Sequence, residues 1–83
     1  MAKYQHITLK DFFVEAEQYT NPSSVDRIMD MIGTKGVINS LDKLYIFRDY
    51  TVIVEKNWYV IKLSDYNIDS MPNKLFDLIY KKY

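Results

Sequence analysis

Cysteine is absent from this chain of 83 residues, glycine and proline occur twice each, and there is one histidine and one tryptophan. Each scarcity excludes something. Small secreted domains usually depend on disulfides to supplement a limited core, so a cysteine-free sequence of this length favours a reducing compartment and a cytoplasmic address. One histidine without cysteine cannot supply the several nitrogen or sulfur ligands of a zinc site within one chain. The same shortage leaves His6 as the one imidazole, with no thiol beside it in the sequence. Lacking a partner that would orient it for catalysis, it reads as structural or solvated.

The two glycines, Gly33 and Gly36 in GTKG, suit a helix stop and a turn better than a phosphate cradle. Nor do the carboxylates take up the spacing of a calcium loop or of a catalytic pair. Asp26 and Asp30 lie one helical turn apart with Arg27 between them, as on a solvated face, and Asp65 and Asp69 read as turn and cap residues. No cofactor, metal or small-molecule substrate is implied, and the chain reads as non-enzymatic.

Long apolar runs are missing too. None approaches the roughly 18 to 20 residues of a membrane span, and the opening MAKYQHITLKDFF lacks the basic start and apolar block of a secretory leader, so no membrane role is expected. Charge of one sign is the last thing lacking: 11 basic and 11 acidic residues cancel. That balance removes the bulk attraction on which nucleic-acid binders draw, and it weakens the self-repulsion that keeps small domains apart.

What is present is a composition that folds, with 48% hydrophobic and 16% aromatic residues against 27% charged. The length holds one core, so one α+β domain is expected over residues 1–83. Thr8 and Asp11 resemble a capping box, and Leu9, Phe12, Phe13, Ala16 and Tyr19 recur at helical spacing, predicting a helix from about Leu9 to Tyr19. Pro22 breaks it. Ser23 and Asp26 then cap a second helix carrying Val25, Ile28, Met29 and Ile32, which Gly33 closes. Residues 34–43 fit a helical turn and a strand equally.

From Leu44 the texture becomes β-branched and aromatic. Leu44 to Phe47, Tyr50 to Glu55 and Trp58 to Leu63, separated by Arg48-Asp49 and Lys56-Asn57, predict a three-stranded antiparallel meander with two-residue turns. After Asp69, Ser70 and Pro72, a C-terminal helix carries Leu75, Phe76, Leu78, Ile79 and Tyr80. The predicted architecture is two N-terminal helices, the meander and this last helix.

With two-residue turns, Phe47 pairs with Tyr50 and Glu55 with Trp58, which sorts the meander into two faces. One collects Tyr45, Phe47, Tyr50, Val52, Val54, Tyr59, Ile61 and Leu63, and reads as the core. The other gathers Leu44, Ile46, Ile53, Trp58 and Val60 inside a rim of Thr51, Glu55 and Lys62, the anatomy of a binding patch with Trp58 as anchor, unless the C-terminal helix covers it.

The expected function is therefore protein binding, as an interaction, inhibitor or adaptor domain, through a protein partner or self-association. The abundance of Lys, Asn, Ile and Tyr is compatible with an AT-rich genome and with a phage or mobile-element accessory protein. The alternative is nucleic-acid binding of winged helix-turn-helix type, with Ser24 to Ile32 as first helix and Val37 to Leu44 as reader, although Lys35 and Lys43 offer few phosphate contacts. A stacking platform of Tyr45, Phe47, Tyr50 and Tyr59 is its second form.

Overall fold

A computed structural model describes residues 2–33, 37–40, 42–65 and 67–83. In chain order the elements are β1 (Ala2–His6), β2 (Phe13–Gln18), α1 (Ser24–Ile32), β3 (Val37–Ser40), β4 (Lys43–Phe47), β5 (Thr51–Glu55), β6 (Tyr59–Ser64), β7 (Asn67–Met71), α2 (Asn73–Ile79) and β8 (Tyr80–Lys82). The strands form two antiparallel sheets, one ordered β7-β6-β2-β1-β8 and one ordered β3-β4-β5. The molecule is thus mostly β, with two short helices, and the predicted arrangement of two N-terminal helices, one meander and a last helix is incorrect.

The first predicted helix is a turn and a strand. His6 Nδ1 accepts hydrogen bonds from the backbone N–H groups of Thr8 and Leu9, at 3.1 and 2.9 Å, and the His6 N–H donates to Phe12 O at 2.9 Å, so the chain reverses over 7–12 instead of coiling. Beyond it Val14 and Ala16 point inward while Glu15 and Glu17 take the other side. The helical stripe and this period-2 alternation overlap in the sequence, and partners on both sides of β2 decide for the strand.

The second helix forms as expected. Val25, Ile28, Met31 and Ile32 are buried along one side, and Gly33 closes it at φ 70°, its N–H bonded to Met29 O at 2.8 Å. Its start differs in detail. Ser23 makes no side-chain cap; Ser24 Oγ instead accepts from Thr20 N–H at 3.1 Å and donates to Asn21 O at 2.6 Å, knitting the preceding turn.

A three-stranded antiparallel meander exists, but β3, β4 and β5 make it. The third predicted strand, as β6, leaves that group and pairs with β2 and β7 in the larger sheet. The handover occurs at Asn57, in the left-handed region at φ 73°, where Tyr19 O accepts from Asn57 N–H at 2.6 Å and the Tyr19 N–H donates to Trp58 O at 2.8 Å. The C-terminal helix is present as α2 but ends at Ile79, and Tyr80 begins strand β8 beside β1.

Two apolar clusters use the two faces of the larger sheet. On one face Val60 and Ile68 join α1 and the inner side of the small sheet, Leu44, Ile46, Val52 and Val54. On the other, Val14, Ala16 and Ile61 meet Phe76 of α2 and Tyr80. Phe76 stacks on Tyr59 with ring centroids 3.9 Å apart and meets Tyr4 edge-on at 4.9 Å. A helix of seven residues is too short to be stable alone, so this aromatic contact is what holds α2.

Candidate protein-binding surface

The register of the small sheet determines which side chains it shows to solvent. Lys43 lies opposite Glu55, Tyr45 opposite Ile53 and Phe47 opposite Thr51, while Leu44 and Ile46 lie opposite Val54 and Val52. The turn is therefore Arg48-Asp49-Tyr50, one residue longer than predicted. Moving the pairing by one residue exchanges the faces of one strand relative to the other, so the predicted grouping of side chains does not hold.

The cause is visible in the turn. The Tyr50 hydroxyl donates to Ile68 O at 2.9 Å and accepts from Ile68 N–H at 3.0 Å, which takes Tyr50 out of the strand. Arg48 donates from Nη1 to Asp65 O at 3.0 Å and from Nη2 to Ile32 O, the carbonyl end of α1. A guanidinium there satisfies a terminal carbonyl and sits at the negative end of the helix dipole. Tertiary partners therefore set the turn length.

The two faces separate cleanly in the observed register. The inner one is wholly aliphatic, with Leu44, Ile46 and Val54 fully buried and Val52 nearly so. The outer one has Tyr45 and Ile53 at its centre, Phe47 with exposed Thr51 at one end and exposed Lys43 with Glu55 at the other, Phe47 being 44% and Ile53 47% exposed. An exposed apolar, partly aromatic stretch flanked by charged and polar residues has the composition of a protein-binding patch.

Of the five residues predicted to form such a patch, only Ile53 lies on this surface. Leu44, Ile46 and Val60 are fully buried in the cluster around α1, and Trp58 is half-buried against the same cluster. They gather around one core rather than forming an open face with Ile53. Tyr45 and Phe47, read from the sequence as core, are the outer residues the prediction missed. The missing glycine in Arg48-Asp49 was the available signal, because a tight two-residue hairpin favours one.

Two adjoining clefts border the larger sheet. One, of about 570 Å³, lies between Gly33, Arg48, Tyr50, Lys62 and Asp65. The other, of about 390 Å³, includes Lys3, Phe13, Glu15 and Lys62. Lys3, Glu15 and Lys62 occupy one row across β1, β2 and β6. Lys3 nevertheless turns over the rings of Phe13 and Tyr83, at 4.7 and 5.2 Å, and Lys62 lies 3.5 Å from Asp65, so Glu15 Oε2 is buried without a hydrogen-bond partner among the described residues. These clefts combine cations and carboxylates, with the Ser64 hydroxyl in the second, and Arg48 and Tyr50 in the first are tied to backbone groups.

Among the described residues no group of three or more His, Cys, Asp or Glu side chains comes together, and no helix is long and apolar enough to cross a membrane. The segment read as a recognition helix, Val37 to Leu44, contains strand β3 and the start of β4. Residues 34–36 and Leu41 lie outside the described residues, Lys35 among them. The proposed stacking platform is divided as well, with Tyr59 under Phe76 and the Tyr50 hydroxyl on β7, leaving only Tyr45 and Phe47 on the outer face. No family model, curated protein or solved structure matches this chain.

Proposed function

We propose that this chain is a small non-enzymatic protein-binding domain, and that the outer face of β4 and β5 is where it binds. One observation carries the reading: the inner side of this sheet is filled by aliphatic residues, yet its outer side keeps Phe47 and Ile53 nearly half exposed beside Tyr45. Aromatic and aliphatic side chains adjacent across strands present apolar area that only a partner's surface would remove from water. The engagement of His6 Nδ1 by two backbone N–H groups is consistent with a structural rather than a chemical role for that residue. An inhibitor or adaptor that acts by covering another protein needs no more than such a face.

The test uses capture from a lysate of the encoding organism with the wild-type chain, an Ile53→Asp variant and a Leu78→Asp control. Ile53 is on the outer face and Leu78 on exposed α2 beyond the larger sheet, so both variants should fold. Specific capture should be lost with Ile53→Asp and kept with Leu78→Asp. Identical capture by all three would refute the assignment of this face.

A further inference from the structure

The outer face is self-complementary in charge, and the geometry points to a second copy of this chain as its occupant. This inference rests on the protein-binding reading of that face. Its three cross-strand pairs run in order along the sheet: Lys43 with Glu55 at one end, Tyr45 with Ile53 at the centre, Phe47 with Thr51 at the other. All six side chains lie on the outer side.

Two identical sheets laid face to face are related by a two-fold axis in the plane between them. When that axis runs along the strands, midway between β4 and β5, β4 of each copy lies over β5 of the other. Lys43 of each copy then lies over the partner copy's Glu55, the two contacts flanking the axis at one end, while Tyr45 lies over Ile53 and Phe47 over Thr51. Sheets pack about 10 Å apart, a gap that a lysine and a glutamate reaching from opposite sides can span, while the tyrosine and isoleucine fill the centre.

The other in-plane axis, across the strands, sets Lys43 over Phe47 and Glu55 over Thr51, so neither charge meets an opposite charge of the partner copy. The electrostatics therefore select the first arrangement. A net charge of zero adds no overall repulsion to the approach. The area limits the strength. The two overlapping strands offer a footprint on the order of 160 Å² from strand spacing and rise, well under the roughly 800 Å² per partner of a standard stable interface, so the pair is weak and reversible.

Charge reversal tests this directly. Lys43→Glu gives an outer face with two acids and Glu55→Lys one with two bases. In sedimentation equilibrium from about 10 µM to 1 mM, the wild type should show a reversible dimer and each variant at least tenfold weaker self-association. An equimolar mixture of the two variants should form a one-to-one heterodimer. The mixture separates the contact between copies from the Lys43–Glu55 pair within one chain, because mixing cannot restore the latter. If either reversal unfolds the sheet, Lys43→Gln and Glu55→Gln replace it, each expected to weaken association about threefold.

A wild type that stays monomeric throughout, or reversals that self-associate like the wild type, or a mixture no tighter than its components, would overturn the second copy as occupant. A monomeric wild type that still shows Ile53-dependent capture would overturn this inference alone and leave the binding-face reading standing.

Discussion

Individual side chains in this molecule repeatedly serve the backbone, and the consequences are measurable. Truncating His6 removes the acceptor of two turn N–H groups, and because water can reach this turn the expected cost is about 1 kcal/mol in a denaturant melt. Arg48 contributes more, since its two bonds are charge-assisted and join the end of α1 to the turn after β6. Arg48→Ala should cost about 2–3 kcal/mol, and Arg48→Lys, with one ammonium in place of a fork, should recover only part of it. Tyr59 supplies a pH dependence. Burial, then the neighbouring Tyr4 hydroxyl and the Asp77 charge, push its phenol from 10.0 up to about 12. A phenol that ionises less readily when folded contributes its stability in full below pH 10 and loses it as pH climbs from 10 toward 12. Burial raises Tyr19 and Tyr80 in the same direction. Stability should therefore fall across that window, and fall less steeply in Tyr59→Phe; equal slopes for the two proteins would contradict the assignment.

At the level of elements, local signals were sufficient wherever the deciding partners were near in sequence. For α1 the stripe, the length and the stop were all legible, and Gly33→Ala should cost about 1 kcal/mol through left-handed strain alone, since an added Cβ meets nothing within 4 Å. Elements whose identity depends on distant partners were misread. Residues 9–19 carry both a helical stripe and the alternation of Val14, Glu15, Ala16 and Glu17, and only pairing with β1 and β6 resolves the ambiguity. The candidate face shows the same limit more sharply. Leu44, Ile46, Val52 and Val54 are the purely aliphatic set, and a three-residue turn would have placed them together, but the reason for that turn is Tyr50 reaching Ile68. Trp58 was legible as important and misplaced as to role. Half-buried against the cluster around α1, it should cost about 2–3 kcal/mol of stability when replaced by Ala, a result read from the melt of the variant.

The whole molecule is tied together by its larger sheet, whose two faces serve both apolar clusters and whose strands come from both ends of the chain. β1 begins at Ala2, and the strand beside it, β8, ends at Lys82, so the sheet is incomplete until the last residues are in place. β8 contributes in three ways. It pairs Tyr80, Lys81 and Lys82 with His6, Gln5 and Tyr4, it buries Tyr80 beside Phe76, and the Tyr83 N–H donates to Lys3 O at 3.0 Å. It also ends the sheet with Lys81 and Lys82 on an outer strand, a placement that discourages edge-to-edge pairing between molecules. Removing residues 80–83 would strip β1 of one of its two neighbours and open the cluster that holds α2. Because that cluster shares β6 with the one around α1, through Ile61 on one face and Val60 on the other, the loss should spread. The truncated chain is expected to lose several kcal/mol, enough to unfold so small a domain, and to aggregate through the exposed edge. Circular dichroism and sedimentation of the truncated chain beside the full one decide this. A truncated chain that melts with only α2 lost and stays monodisperse would show that the cluster around α1 folds independently of the sheet's far edge.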